Sequence, residues 1–362
     1  MWRRLRLPAL RRPALPHLRA ADLGHGAALG AAACGGVMLG VAGYVVAAVH
    51  GSRRRGYTDE FVLTPEDLNM PYEEVQFFTE DGISLTGWFI PQSSGGRASR
   101  RVVVCCHPYN NSKSNLLGVA RGLWDRRYSV FMFDFRSFAD TKTQQSVGFL
   151  EQRDCRSAIL AAKGRAPEDA KVALVGASMG GAVALMVGHE EGAAGGVVGV
   201  ATDCAFGQLT AVLEGRVMAT VRFPRPLAAA AVQLADWLNP WCYGYALSEV
   251  SPVTAVAREG ADVPLLLIHA DHDEVVPVSQ AHAIYSAASC AQKDLVVMQH
   301  CHHVGCFFQD RARYVPLAWS GSSCPYKAKL GQDVLEISVR TRICVLVFLF
   351  GRGNLPSKWQ GR

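Results

Sequence analysis

The sequence predicts an α/β protein whose mostly parallel central sheet is flanked by helices. Short apolar runs of β-branched and aromatic residues recur along the chain without polar alternation, which is typical of strands buried on both faces. Segments with helical spacing of apolar residues separate most of these runs. Because strands that alternate with helices pair in parallel through crossovers, we expect one sheet with helices on its faces.

The first predicted element is a hairpin, and the rest of the sheet alternates with helices. Strands 75–78 and 83–89 are joined by Glu80-Asp81-Gly82, an acidic turn that ends in glycine. The further predicted strands are 102–106, 129–133, 172–175, 197–201, 265–268 and 295–298, and the predicted helices are 115–124, 151–163, 180–189 and 279–288. The carboxyl ends of parallel strands meet at one edge of a sheet, so we expect reactive side chains in the loops that follow them.

The charge is distributed unevenly along the chain. The 362 residues contain 37 Lys and Arg against 31 Asp and Glu, a formal net charge of +6. Nine arginines and one acid in residues 1–55, with seven basic and two acidic residues in 318–362, place the positive charge at the two ends. The segment between them carries a formal charge of −7. An acidic body without a broad basic face is not typical of nucleic-acid-binding proteins, so no nucleic-acid partner is expected.

The basic leader is predicted to contain a transmembrane helix at residues 27–49. This stretch of 23 residues has no formal charge and is rich in Ala, Gly, Val and Leu. At about 1.5 Å per residue it is roughly 35 Å long, enough to cross a bilayer core. Arg19 and the arginines at 53–55 flank it. We therefore expect single-pass membrane anchoring, with a buried helix or a cleaved leader as alternatives, and the arginine-rich start also suits an organellar transit peptide.

Composition divides the chain into three parts. Residues 1–55 form the leader, 56–318 form the body, and 319–362 form a tail to which the sequence assigns no role. Eleven cysteines are scattered along the chain, and Cys105 and Cys106 lie in a predicted buried strand. This pattern is typical of reduced, packed thiols rather than of an extracellular disulfide framework, so we expect the body to lie in a reducing compartment.

A candidate nucleophile, Ser178, lies between a predicted strand and a predicted helix. Residues 171–181 read KVALVGASMGG, so Gly176 and Gly180 flank the serine. The glycines permit a tight turn that exposes the serine at the edge of the sheet, and the first amides of the helix point to the place where an oxyanion would form. With this motif, the chain resembles the α/β-hydrolase superfamily over about residues 70–318, and within it the serine-aminopeptidase-like and Bem46-like enzymes.

The resemblance implies a Ser-Asp-His order along the chain, in which an acid orients the base that activates the serine. After strand 265–268 the chain reads HADHDEVVPVSQA, and the position that matches the acid is Asp273. Asp271, which is nearer to the strand, is the less favoured candidate. The structural alternative for Asp273 is the N-cap of the helix that follows.

The base is expected in the QHCHHVGCFF segment at 299–308, where His300, His302 and His303 compete. The family places its histidine immediately before the last helix, which favours His303. A rival interpretation takes the histidines with Cys301 and Cys306 as metal ligands, but neighbouring positions diverge and no second ligand pair lies nearby in the sequence. We therefore expect no metal and no organic cofactor.

The oxyanion donors are expected to be the backbone N–H groups of Met179 and Tyr109. The loop after strand 102–106 begins His107-Pro108-Tyr109, with proline where the family has glycine. Proline lacks an N–H, but the donor that the resemblance implies is Tyr109. The FDFR segment after strand 129–133 matches a turn that is structural in the family, and Asp134 and Arg136 are assigned that supporting role.

The predicted function is that of a serine hydrolase that cleaves ester, thioester or amide bonds. Apolar residues at roughly helical intervals, broken by Pro224 and Pro226, fill residues 205–256, where the family inserts a cap. This apolar cap either accepts an acyl chain or covers the sheet. The expected substrate is a small-molecule or lipid-like acyl compound. The alternatives are a non-catalytic binding protein of the same fold and a peptidase.

Overall fold

The computed structural model describes residues 20–51, 63–138, 143–260, 262–312 and 314. Eight strands form the main sheet, and two short ones form a separate hairpin. The strands are β1 (Glu73–Phe78), β2 (Ser84–Ile90), β3 (Ser93–Ser94), β4 (Arg97–Ala98), β5 (Arg101–Cys106), β6 (Ser129–Phe133), β7 (Lys171–Ala177), β8 (Val197–Asp203), β9 (Leu265–Ala270) and β10 (Lys293–Met298). The eight predicted strands correspond to those of the main sheet.

The main sheet has the order β1-β2-β6-β5-β7-β8-β9-β10. β1 and β2 form the predicted antiparallel hairpin, β2 also pairs antiparallel with β6, and every later pair is parallel. The predicted α/β class with a mostly parallel sheet is confirmed. The helices are α1 (Ala20–His50), α2 (Leu117–Trp124), α3 (Glu151–Lys163), α4 (Met179–Ala193), α5 (Leu209–Val221), α6 (Arg225–Tyr243), α7 (Pro252–Val256), α8 (Ser279–Ala287) and α9 (Cys306–Gln309).

The central strands are apolar throughout because helices cover both faces of the sheet. In β5, Val102 and Val104 pack into the core on one face, whereas Val103 and Cys105 pack into the core on the other. Since successive side chains of a strand point to opposite faces, a strand covered on both sides needs apolar residues at every position. This layering leaves the carboxyl ends of the parallel strands as the place for polar chemistry.

The predicted transmembrane segment lies within α1, and the end of this helix packs against the body. Val41, Ala42, Val45 and Val49 are buried in the same core as the sheet, and α1 contacts the cap helix α6. Within the part of the chain that the structure describes, no helix combines the length and the apolar character needed to cross a membrane. The predicted membrane anchor at 27–49 is therefore not supported, because part of its apolar surface is used for packing within the protein.

The other predictions about the ends of the chain lie largely outside the described residues. The arginines at 53–55, the arginine-rich first residues and the tail at 319–362 all fall there. The transit-peptide interpretation and the predicted division into leader, body and tail therefore stay predictions.

The turn after β6 is held by a buried arginine. Arg136 is only 2% exposed, and its guanidinium donates to Asp154 of α3 and to Asp81 in the β1–β2 turn, each at 2.8 Å for the shortest bond. Asp134 in the same turn accepts from the backbone N–H of Lys113 at 2.7 Å and also pairs with the ammonium group of that lysine. These contacts tie three segments together and agree with the supporting role expected for Asp134 and Arg136.

The helices α5 and α6, followed by the short α7, occupy the region predicted as the cap. Pro224 precedes α6 and Pro226 lies in its first turn, where a missing N–H is tolerated, so the prolines separate the two helices as expected. One side of α6 packs inward through Ala231 and Ala235, while Trp237 is 63% exposed. The cap thus covers part of the core and also presents aromatic surface.

Candidate active site

Ser178 lies in a sharp turn between β7 and α4. Its backbone has φ of 51° and ψ of −117°, a conformation that residues with a side chain rarely adopt. A Cβ atom at Gly176 would lie 2.3 Å from the carbonyl oxygen of Gly180, and one at Gly180 would lie 2.2 Å from that of Cys106. The two glycines of the motif are therefore required by close backbone contacts. The N–H of Ser178 donates to the carbonyl oxygen of Asp203 at 2.8 Å, which fixes the turn to the end of β8.

Ser178, His303 and Asp273 form one hydrogen-bonded chain. Nε2 of His303 lies 2.8 Å from Ser178 Oγ, and Nδ1 of His303 lies 2.7 Å from Asp273 Oδ2. With Nδ1–H donating to the carboxylate, Nε2 is the acceptor for the serine hydroxyl. The side chain of His302 is instead 77% exposed beside Glu274. His303 is therefore the member of the histidine cluster that the fold brings to Ser178.

Asp273 is fixed in a loop after β9. Its Oδ1 accepts from the backbone N–H groups of Val275 at 2.9 Å and Val276 at 2.7 Å, which leaves Oδ2 for His303. These amides precede α8, so the carboxylate stabilises its own loop and does not cap that helix. Asp271, the other acidic candidate, accepts from the N–H of Cys301 at 3.1 Å and thereby fixes the loop that carries the base.

The surroundings of Asp273 and His303 favour an ionised Asp273 carboxylate beside the imidazole. Burial acts to raise the pKa of Asp273, but hydrogen bonds from His303 and from the loop amides outweigh it, so the pKa is lowered. Burial acts to lower the pKa of His303, but the hydrogen bond to Asp273 outweighs it and raises that pKa. The carboxylate thus stabilises the positive charge that the imidazole gains when it accepts a proton.

The two expected oxyanion donors, Met179 and Tyr109, lie in the segments that follow β7 and β5. Met179 is the first residue of α4, directly after Ser178. Tyr109 lies in the loop after β5, and the neighbouring carbonyl groups of Cys106 and His107 lie close to Gly180. Pro108 at the glycine position of the family is compatible with this loop.

His107 fixes the loop that carries Tyr109. Its Nδ1 donates to the carbonyl oxygen of Pro108 at 2.7 Å, and its Nε2 accepts from the N–H of Phe135 at 3.0 Å. Burial lowers the pKa of His107, which agrees with a neutral ring that donates at one nitrogen and accepts at the other. The side chain of Tyr109 donates to the carbonyl oxygen of Ala48 at 3.4 Å, so the end of α1 also contacts this loop.

Sequence reasoning missed three residues that touch the site. Cys204 follows β8, and its sulfur accepts from the N–H of Val304 at 3.4 Å, next to the base. His269, near the end of β9, is buried with its Nε2 3.5 Å from Asp273 Oδ2. Asp203 supplies the carbonyl group that holds Ser178. A signal was present for Asp203 and Cys204, because they follow predicted strand 197–201 at the same edge of the sheet as Ser178.

Two overlapping groups of side chains have ligand atoms close enough to hold a metal ion. Among the described residues, the groups are Asp203 with Cys204 and Cys306, and Cys204 with Asp273 and His303; within each group the ligand atoms all lie within 4.8 Å of one another. Neither group contains His300 or His302, so the consecutive His/Cys run of the rival interpretation does not converge on one point. The second group shares Asp273 and His303 with the hydrogen-bonded set that ends on Ser178, and in that set the carboxylate orients the imidazole without a metal.

Comparisons with known proteins agree with this architecture. Residues 97–255 match the family model described as "Serine aminopeptidase, S33", and residues 219–311 match that of the prolyl oligopeptidase family. The two matches cover the serine turn, the cap, the acid loop and the base loop, and they bear out the resemblance that the motifs predicted.

Relatives and solved structures extend the similarity over most of the body. The chain is 29% identical over 258 residues to protein YfhR of Escherichia coli, covering 69% of this chain and 79% of that protein. It is 22% identical over 252 residues to protein Bem46 of Schizosaccharomyces pombe, covering 67% and 75%. The structure of the Pyrococcus furiosus esterase Pf2001 superposes with a TM-score of 0.55 at 23% identity, over 70% of this chain and 90% of that one. This structural likeness shows the shared fold.

Proposed function

The chain belongs to the α/β-hydrolase superfamily of enzymes, and we propose that it cleaves carboxylic ester, thioester or amide bonds through Ser178, His303 and Asp273. The observation that carries the proposal is the continuous hydrogen-bonded chain from Asp273 Oδ2 through His303 to Ser178 Oγ, with bonds of 2.7 and 2.8 Å. This chain ends on a serine held in a strained turn at the carboxyl edge of the sheet. It has the geometry that base-assisted attack by a hydroxyl requires.

In the proposed reaction, Ser178 Oγ attacks the carbonyl carbon of the substrate. His303 Nε2 takes the hydroxyl proton, and Asp273 stabilises the imidazolium that forms. The N–H groups of Met179 and Tyr109 donate to the tetrahedral oxyanion. His303 then gives its proton to the leaving group, which departs as an alcohol, thiol or amine, and water attacks the acyl-enzyme in the same way to release the acid.

The proposed substrate is a small-molecule or lipid-like acyl compound. Supporting it, the cap at α5 and α6 is apolar and presents Trp237 and Trp241, which are 63% and 80% exposed. Exposed aromatic surface of this kind is suited to contact with a hydrocarbon chain. The predicted reducing compartment stays a prediction, and it agrees with the nine free thiols found among the described cysteines.

A fluorophosphonate probe tests the proposed nucleophile. The probe phosphonylates a serine only when a neighbouring base activates it, so the folded full chain should be labelled and Ser178→Ala should not. Heat-denatured protein is the control for non-specific labelling, and thermal unfolding of Ser178→Ala checks that the variant is folded. Equal labelling of both proteins, or no labelling of the folded chain, would favour the non-catalytic alternative.

A panel of esters with graded acyl length tests the proposed substrate class. The apolar cap predicts faster turnover of medium and long acyl chains than of acetate, measured as kcat/KM. Amides and aminoacyl-amides of matched structure form the second arm, since the match to the serine aminopeptidase family favours a peptidase as the second candidate. Equal rates at every acyl length would contradict the lipid-like substrate, and preference for the aminoacyl-amides would favour the peptidase.

A further inference from the structure

Gln145 is a buried polar residue that the proposed reaction does not use. It lies in the loop before α3 and is only 2% exposed. Its side-chain amide donates to the carbonyl oxygen of Gly51, directly after α1, and to the phenol oxygen of Tyr109 at 3.3 Å. Its backbone carbonyl oxygen accepts from Nδ1 of His50 at 2.9 Å. A buried amide needs such partners, and one of them belongs to the residue whose N–H is a proposed oxyanion donor.

The phenol group of Tyr109 is held between Gln145 and the end of α1. Its hydroxyl accepts from Gln145 and donates to the carbonyl oxygen of Ala48 at 3.4 Å. The first residues of the loop that carries Tyr109 pack closely against the start of α4. The loop is therefore restrained on one side by the helix that follows the serine turn and on the other side by Gln145 and α1.

The loop that carries Gln145 is itself held in place. Glu151, the first residue of α3 and only 1% exposed, accepts from the backbone N–H groups of Ser146 at 3.0 Å and Gly148 at 2.7 Å. Val147, between them, has φ of 53°, which a β-branched residue adopts only when its surroundings enforce it. Gln145 thus connects a firmly bound segment to the phenol group of Tyr109.

We propose that Gln145 is a positioning residue for the reaction, because it holds the phenol group of Tyr109 and thereby keeps the backbone N–H of that residue where the oxyanion forms. The inference rests on the proposed function and extends it to a residue that neither contacts the substrate nor transfers a proton. An oxyanion donor stabilises the transition state only from a fixed position, so a small displacement of the loop lowers the rate.

The variant Gln145→Met tests the inference, since methionine has a similar length and cannot donate. The rate is measured with the ester that wild type turns over fastest, per site labelled to completion with the fluorophosphonate probe, so that unfolded protein is not counted. We expect kcat to fall about tenfold and KM to change less than about twofold, because the donor acts mainly on the transition state.

The matched control is Gln92→Met. The side-chain amide of Gln92 also donates to a backbone carbonyl oxygen, that of Trp124 at 2.8 Å, but it lies beside Ser129 at the start of β6, at the opposite edge of the sheet from Ser178. Its kcat per labelled site should therefore equal that of wild type. An equal loss in both glutamine variants would overturn the inference.

A double variant shows whether Gln145 acts through the phenol group. Tyr109→Phe removes the hydroxyl and keeps the backbone N–H, and it should also lower kcat about tenfold. In that background, Gln145→Met should lower kcat less than about threefold further, because the contact is already lost. A larger further fall, or an unchanged kcat of Gln145→Met alone, would overturn the inference and leave the proposed function in place. If the probe fails to label folded wild type, the proposed function fails and the inference fails with it.

Discussion

Two buried clusters of ionisable side chains in this protein differ in how they end. In the first, Arg136 donates to Asp81 and Asp154, and Arg153 extends this ion pair network from Asp81 to Glu80 at the surface. In the second, the chain that starts at Asp273 ends on the Oγ atom of Ser178. The first cluster joins segments and exposes no reactive atom, whereas the second ends on a hydroxyl group that is the nucleophile of the proposed reaction. Burial and hydrogen bonding therefore do not distinguish the proposed catalytic cluster from a structural one. The difference is that the proposed catalytic cluster ends on a hydroxyl group that can react with a substrate.

Replacement of the proposed base, His303, should lower kcat more than any other substitution. Comparison with replacement of its neighbour His302 tests which of the two histidines acts as the base. His303→Ala removes the proton acceptor of Ser178, and we expect kcat to fall on the order of 10⁶-fold. His302→Ala is the matched control, because the side chain of His302 is 77% exposed and away from the serine. The control should change kcat less than about threefold. Ester hydrolysis by the two purified variants is the measurement, and similar losses in both would assign the wrong histidine.

Removal of the charge on the acid should leave the fold intact and slow the reaction. Asp273→Asn can still contact His303 but favours the wrong tautomer of the imidazole, so kcat should fall about 10⁴-fold. Stability should change far less than activity, which urea unfolding of the same preparation would check. A fall in kcat of less than tenfold would contradict the role of Asp273.

The structural cluster should respond in the opposite way. Arg136→Met leaves Asp154 buried without its cation, and the free energy of unfolding should fall by about 3–5 kcal/mol. The double variant Arg136→Met/Asp154→Leu removes both charges and should recover much of that loss. Urea unfolding measures both variants, and kcat of the protein that remains folded should be close to that of wild type. A loss of activity without a loss of stability would make this cluster part of the site.

The smallest expected effect is the pH dependence of the stability that Asp81, at the edge of the structural cluster, contributes. Burial acts to raise the pKa of Asp81, but the hydrogen bond from Arg136 outweighs it and lowers that pKa below its usual range. A lowered carboxyl pKa contributes stability above the pKa of the unfolded chain, about 4, and this contribution is lost as the pH falls. Asp81→Asn should therefore be less stable than wild type by about 1 kcal/mol at pH 7, with a difference that shrinks below pH of about 4. A pH series of urea unfolding curves is the measurement.

Much of the fold and of the candidate site could be predicted, because both follow from one rule of sheet geometry. Buried parallel strands are continuous apolar runs, so strands such as β5 and β7 are visible in the sequence. The loops after parallel strands meet at one edge, and this explains why Ser178, Asp273 and His303, each after a different strand, lie together.

The rest depends on contacts that no local pattern carries. Cys204 and Val304 are 100 positions apart in the chain, so the sequence of neither segment predicts that they are in contact. The uncharged stretch at 27–49 predicts a membrane helix by its length and lack of charge, whereas the burial of Val45 and Val49 in the core shows that part of it packs within the protein. Buried polar partners of this kind are set by the whole fold.

The second half of α1, which composition assigns to the leader, packs against the body. Composition places the boundary at residue 56, yet Val45 and Val49 belong to the core, and His50 lies 3.0 Å from Asn239 Oδ1 and 2.9 Å from the carbonyl oxygen of Gln145. A shortened chain that starts at residue 56 would expose apolar side chains that α1 covers and would leave Oδ1 of Asn239 without His50 as its hydrogen-bond partner. Recombinant truncations intended to be soluble should therefore keep the second half of this helix.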